Sequence, residues 1–184
     1  MIVYFYLNPV KSYTKDLSAM NPEPRKKQPK FSLNRKDEPM AELMKGTDKK
    51  TLAVWAVDCA ERVLPYFEEN YPDDHRPRNA LVVLRTWLTT GMFHMADIRG
   101  ASLAAHAAAR EVGEDNAARS AARATGQAVA TAHVPTHSRG AALYAQQAVW
   151  RATNSTYAEA AVQSERDWQY RHLLVLREKP DSDK

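Results

Sequence analysis

The chain has 184 residues, of which 44% are hydrophobic and 26% charged, and it contains a single cysteine. This length suffices for one domain of ordinary size. One thiol cannot form an internal disulfide, which excludes a disulfide-stapled secreted scaffold. The longest apolar run, residues 1–10, is broken by Asn8 and Pro9 and lacks a basic start and a cleavage site. The sequence therefore predicts a soluble, cytoplasmic protein with no signal peptide and no membrane partner.

The positive charge is concentrated at the N-terminal end. Residues 1–50 contain eleven Lys or Arg against six Asp or Glu, whereas the rest of the chain contains fifteen against sixteen. The formal net charge of +4 therefore comes from a tail and not from a basic binding face. Because near-neutral folded regions are unusual among nucleic-acid binders, we expect no nucleic-acid partner.

Residues 1–40 hold five of the ten prolines, and proline alternates with Arg and Lys over residues 22–30. Such a segment buries too little apolar surface to offset its ordering entropy. We therefore predict a basic, Pro-rich, largely disordered tail at 1–46, a helical domain at 47–178 and a disordered C-terminus at 179–184. Only residues 1–7 have a pattern that fits a lone strand or a packing arm.

From Thr47 onward, apolar residues recur at spacings of three or four, which predicts helices. The first helix is predicted to begin at an N-cap at Thr47 and to break at Pro65, where a backbone donor is missing. The second is predicted to begin at an N-cap at Asp74 and to end at Gly91.

Four more helices are predicted between residues 94 and 176, and alanine supplies nineteen of the fifty-five positions from 96 to 150. The third and fourth form an antiparallel hairpin across residues 112–115, with Asp115 as the N-cap of the fourth. The fifth begins at Thr136, and the sixth follows Ser155. The predicted fold is all-α: a single bundle or short solenoid of about six helices with Ala-rich antiparallel hairpins.

Residues that face each other across this hairpin should have numbers that sum to about 227, twice the midpoint of the loop. By this rule Gly100 and Gly126 oppose each other, and we predict a close contact between them. The same rule places His106 opposite Ala121 and Ala122, as a packed and hydrogen-bonded histidine.

Residue types that carry chemistry are few. Cys59 lies on the apolar stripe of the first helix, where a thiol is typically a small buried hydrophobe. Asp58 and Arg62 are spaced for a surface ion pair. The rule for the hairpin brings His94 near His133, and a metal site would add His137 one turn later. Capping and interhelical hydrogen bonds explain these histidines equally well, and we expect no cofactor.

Four segments together resemble a known family: LAVWAVDCAERVLPYFEE (52–69), PDDHRPRNAL (72–81), ASLAAHAAAREV (101–112) and AARATGQAVATAHVPTH (121–137). In this order they look like the helical immunity proteins of bacterial polymorphic toxin systems. The resemblance covers about residues 47–152. It implies a non-catalytic protein that neutralises a cognate protein toxin by binding it.

A binding role requires an interface of standard size with a few aromatic or Arg anchors. The candidates are charged or aromatic residues outside the predicted core: Asp73, Asp74, His75, Arg76, Arg119, Arg123, Tyr144 and Trp150. Two alternatives remain open. One is a metal-binding protein or metalloenzyme that uses His94, His133 and His137, and the other is a structural module that self-associates through its alanine-rich layers.

Overall fold

A computed structural model describes residues 31–33 and 37–178. The predicted strand at 1–7, the Pro-rich stretch at 22–30 and the C-terminal segment 179–184 lie outside the described residues. Within the described ranges every regular element is a helix, as predicted. The helices are α1 (Glu38–Lys45), α2 (Lys49–Val63), α3 (Pro65–Glu68), α4 (Arg76–Thr90), α5 (Met95–Glu111), α6 (Ala117–Ala130), α7 (His137–Ala152) and α8 (Ala158–Glu178). Among them, none is long and apolar enough to cross a membrane.

Helix α1 lies in the range that the sequence assigned to the tail. Its Met40 and Leu43 are buried, and the helix packs against α8. The Asp37 carboxylate caps it by accepting from the Met40 N–H at 3.2 Å and pairs with Arg166 of α8 at 2.8 Å. Helical structure therefore begins at Glu38, before the predicted domain start at residue 47.

The break between α2 and α3 falls at Leu64, directly before Pro65, as predicted. The N-cap prediction for α2 was wrong by one residue. The Asp48 carboxylate accepts from the Thr51 N–H at 3.0 Å, whereas the Thr47 hydroxyl donates backwards to the carbonyl of Leu43 at 2.6 Å. Thr47 thus bonds back to α1, which ends at Lys45, and Asp48 is the N-cap of α2.

Two further caps differ from the prediction by one residue. His75 holds the N-cap position of α4, and Asp74 accepts from the Arg76 N–H at 3.1 Å from just outside it. Asn116, not Asp115, caps α6 by accepting from the Arg119 N–H at 3.1 Å. The predicted end of α4 is confirmed, since Gly91 has a left-handed φ of 68°.

Helix α6 lies at the centre of the bundle and packs against α2, α3, α4, α5 and α7. Nine of its fourteen residues are buried, and all but Val129 have small side chains. Small side chains let helix axes approach closely. The large buried side chains of the core come from the surrounding helices, including Trp55 of α2, Phe67 of α3 and Leu84 of α4.

The predicted contact between Gly100 and Gly126 is wrong. Gly100 is exposed, and no atom lies within 4 Å of the position that its Cβ would take. Gly126 instead faces the ring of His106, two atoms of which lie 2.9 Å from a Cβ built on Gly126. Ser102 donates to the Gly126 carbonyl at 2.9 Å, so the register along the hairpin was right within about one residue. The prediction erred in the rotation of α5 about its own axis, because it placed Gly100 toward α6 whereas Gly100 faces solvent.

Helix α8 is held against α2 and α7 by buried polar groups. The Trp55 indole donates to the carbonyl of Gln169 at 2.8 Å, and the Gln169 side chain accepts from Gln146 at 2.8 Å. The predicted ion pair between Asp58 and Arg62 is wrong, because both side chains contact residues of α8 instead.

Asp58 accepts a hydrogen bond from the His172 ring at 2.7 Å. Arg62 pairs with Glu165 at 3.0 Å and lies 3.9 Å from the centre of the Trp168 ring.

Candidate functional site

One end of the bundle brings together the turn before α4 and the loop between α5 and α6. Arg76 joins them, since its guanidinium pairs with Asp74 at 2.7 Å and donates to Glu111 at 3.0 Å. Hydrogen bonds from Arg76 lower the pKa of both carboxyls. Asp73 and His75 flank this cluster and are exposed. We call residues 73–76 and 111–116, with Arg119 and Arg151, the tip end.

Two further arginines stabilise the tip end. Arg151 pairs with Asp115 at 2.6 Å and donates to the Ser120 hydroxyl at 2.7 Å. Arg119 donates to the carbonyl of Val112 and lies 3.8 Å from Asp115. Burial lowers the pKa of Arg151 despite Asp115, and the charges of Arg119 and Arg123 lower it further. Two guanidinium groups, those of Arg119 and Arg151, therefore share the Asp115 carboxylate.

Arg123 and Tyr144 lie next to the tip end. The Arg123 guanidinium is 5.9 Å from the centre of the Tyr144 ring, and both residues are half-buried. Trp150 is half-buried on α7, and its ring packs at 5.9 Å from that of Phe31. Trp150 therefore packs near another aromatic ring, whereas Tyr144 lies near a guanidinium group.

Residues of α5, α6 and α7 form a second surface, which extends away from the tip end. Here His106 lies over Gly126, and Gln127 bonds the His137 ring at 2.8 Å. Burial lowers the pKa of His106, and the nearby charges of Arg123, Arg110 and His137 lower it further. The predicted hydrogen bond of His106 is missing at Nδ1, which is buried without a partner. We call this surface the α5–α6–α7 face; it consists of His106, Arg110, Arg123, Gln127, His137 and Tyr144.

The three histidines of the metal hypothesis are not assembled into a ligand set. His94 is the exposed N-cap of α5, while His137 is committed to Gln127. His133 is exposed but close enough for its charge to lower the pKa of His137, after the larger effect of burial. Within residues 31–33 and 37–178, no three or more His, Cys, Asp or Glu are grouped so that they could hold a metal ion.

An apolar groove lies at the other end of α5, and it was not predicted from the sequence. It has a volume of about 460 Å³ and is formed by Met95, Ile98, Arg99, Ser102 and Leu103 of α5 with Ala130 and His133. Met95 and Leu103 remain 42% and 54% exposed, and the nearby Met92 is 62% exposed. Exposed apolar patches of this kind mark interaction sites. The run of Met92, Phe93 and Met95 directly after the helix-ending Gly91 is the signal that could have revealed it.

Cys59 is fully buried, as predicted, and burial raises the pKa of its thiol well above the usual range. A nucleophilic cysteine needs the opposite setting, an accessible thiol with a lowered pKa.

The fold and the site define an all-α bundle whose distinctive groups are surface arginines, exposed apolar side chains and aromatic residues. A family model described as Imm-5 like putative immunity protein matches residues 42–175. The match covers well over half of the chain, and the chain belongs to this family, as the four motifs predicted. Neither the curated proteins nor the solved structures contain a match.

Proposed function

We propose that this protein is the cytoplasmic antidote of a bacterial protein toxin, which it neutralises by direct, non-catalytic binding. The observation that carries this proposal is the family match over residues 42–175. This range runs from within α1 to near the end of α8, so the feature shared with the family is the helical domain as a whole. The buried Cys59 thiol is not available as a nucleophile.

The proposed toxin-binding surface is the tip end with the adjoining α5–α6–α7 face. Six of the eight candidate residues belong to the tip end or flank it, namely Asp73, Asp74, His75, Arg76, Arg119 and Arg123, and Tyr144 adjoins them. A standard interface buries about 800 Å² on each partner, so the contact area would extend over both surfaces. Ion pairs hold Arg76 and Arg119 in place before binding, so little side-chain entropy remains to be lost.

Co-expression with the product of the gene encoded next to it tests this proposal. We expect the wild-type chain to rescue growth and to co-purify with that product. Asp73→Trp is expected to weaken both effects, because it places a bulky ring at an exposed position of the tip end and separates the two surfaces. The matched control, Glu42→Trp, adds the same ring at an exposed position of α1 and should leave both effects intact. Failure of the wild type to rescue or co-purify would contradict the proposal.

The same purified protein tests the two alternatives from the sequence. Stoichiometric zinc or iron in elemental analysis would favour the metal-binding hypothesis. A dimer or larger oligomer in size-exclusion chromatography with light scattering would favour self-association. We expect a metal-free monomer when the partner is absent.

A further inference from the structure

Three arginines differ from the others in their electrostatic surroundings. Most described arginines pair with a carboxylate, as Arg76 and Arg151 do, or donate to a backbone carbonyl. Among the described residues, Arg99, Arg110 and Arg123 have neither kind of partner, and Arg123 has only the Tyr144 ring. A guanidinium group without an anionic partner is available for a ligand.

The three arginines border one continuous surface. Arg99 lines the apolar groove, and Arg110 follows eleven residues later on α5, which is three turns and about 17 Å along the same side of the helix. Arg123 lies one turn before Gly126 on α6, and the ring of His106 from α5 packs over Gly126, so Arg123 borders the same junction of α5 and α6. The cationic row therefore runs from the groove to the tip end.

No carboxylate of the described residues lies within 4 Å of a nitrogen of these three guanidinium groups. Glu111 is held by Arg76, while Asp115 is shared by Arg151 and Arg119. The remaining acidic residues of α5 and its following loop are Asp97 and Glu114, both exposed and neither paired with a described arginine.

We infer that Arg99, Arg110 and Arg123 form, with the apolar groove, a docking surface for an acidic segment of a partner protein. Carboxylates of the segment pair with the arginines, and an apolar side chain enters the groove between Met95 and Leu103. This inference rests on the proposed function and names the chemistry of the toxin surface.

A protein segment fits this surface better than a nucleic acid does. The groove takes an apolar side chain, for which a phosphate backbone has no counterpart. Beyond residue 50 the chain carries a slight excess of acidic residues, and Asp73, Asp74 and Glu114 border the row near the tip end. A continuous run of phosphates needs cationic groups along its whole length, and this surface offers only a short row of three arginines.

The test compares two triple variants with the same change in net charge. The first is Arg99→Glu/Arg110→Glu/Arg123→Glu. The control is Lys45→Glu/Lys50→Glu/Arg171→Glu, at exposed positions of α1, α2 and α8. The probe is a fluorescein-labelled peptide of alternating glutamate and leucine, and its binding to the full chain is followed by anisotropy. A peptide of alternating lysine and leucine and a single-stranded DNA are measured alongside.

We expect the glutamate–leucine peptide to bind the wild type and the control variant. In the first variant its dissociation constant should rise by about tenfold or more, because several charge-assisted hydrogen bonds are lost together. Added salt should weaken wild-type binding. Equal binding by both variants would overturn the inference, and so would tighter binding of the DNA or of the lysine–leucine peptide. If the first variant fails to fold, the single exposed change Arg110→Glu replaces it.

The co-expression assay, run with the same variants, separates the two proposals. If the wild type gives neither rescue nor co-purification while the peptide discriminates as expected, the docking surface stands and the antidote function falls. If the first variant rescues growth as well as the wild type does, the docking surface is overturned and the antidote function stands.

Discussion

Helices α5 and α6 each contain one interior glycine, and we expect opposite effects when these are replaced by alanine. Gly100 is exposed, and nothing lies within 4 Å of the added methyl group. Glycine costs about 1 kcal/mol relative to alanine in a helix interior. Gly100→Ala should therefore raise the free energy of unfolding by about 1 kcal/mol.

Gly126→Ala gains the same helix propensity but meets the ring of His106. The new Cβ would lie 2.9 Å from two ring atoms, so the ring or the helix must move. Overpacking of this kind costs about 1–3 kcal/mol, which outweighs or cancels the propensity gain. We expect a net loss of roughly 0–2 kcal/mol. Movement of the backbone would also disturb the hydrogen bond from Ser102 to the Gly126 carbonyl.

Urea unfolding of the full chain, followed by far-UV circular dichroism, measures both variants. With a slope of about 1–3 kcal/mol per molar urea, a change of 1 kcal/mol shifts the urea midpoint by roughly 0.3–1 M, so the two variants should separate clearly. The double variant Gly126→Ala/His106→Ala is the control, because removing the ring should restore the propensity gain. If Gly126→Ala alone stabilises the protein as much as Gly100→Ala does, the packing of His106 over α6 is refuted.

Four further outcomes are expected. Glu165→Ala should cost about 3–5 kcal/mol in urea unfolding, because it leaves the Arg62 guanidinium without its buried carboxylate; an unchanged midpoint would contradict this. Asn116→Ala should cost about 1 kcal/mol through loss of the α6 cap, whereas Asn116→Asp should preserve the thermal transition. The pKa of His106 is lowered, so below the ordinary value of 6.5 the unfolded chain takes up a proton that the folded chain excludes. Stability should accordingly fall as the pH drops from about 7.5 to about 5.5, and less steeply in His106→Asn. Finally, Ellman's reagent should leave the Cys59 thiol untouched in the native protein and label it in urea, and rapid native labelling would contradict its burial.

Helix identity was predictable because it depends on local signals. The apolar spacing, the missing N–H of Pro65 and the left-handed Gly91 all act within a few residues of their effect. Caps were less predictable where two capable side chains are adjacent. Asp115 and Asn116 can both cap a helix, and the choice follows from the pairing of Asp115 with distant Arg151.

The candidate site was predictable in composition but not in arrangement. Arg62 could pair with Asp58 one turn away, yet it pairs with Glu165, 103 residues further along the chain. Likewise, Arg110 and Arg123 have no carboxylate partner among the described residues, because Glu111 and Asp115 pair with arginines of other elements or turns. The groove was missed because it depends on the rotation of α5 about its axis, which also misled the prediction for Gly100.

Because α6 lies at the centre of the bundle, the residues that stabilise the fold are distinct from most of the residues on its surface. Its small, enclosed side chains fix the spacing of five neighbouring helices, so enlarging any of them disturbs the whole scaffold. Arg99 and Arg110 of α5, by contrast, are exposed and lie outside this packed centre. Under the proposed function, a family member with a different partner can exchange the exposed Arg99 and Arg110 for acidic or apolar side chains at little thermodynamic cost, so its surface can vary while its architecture stays constant.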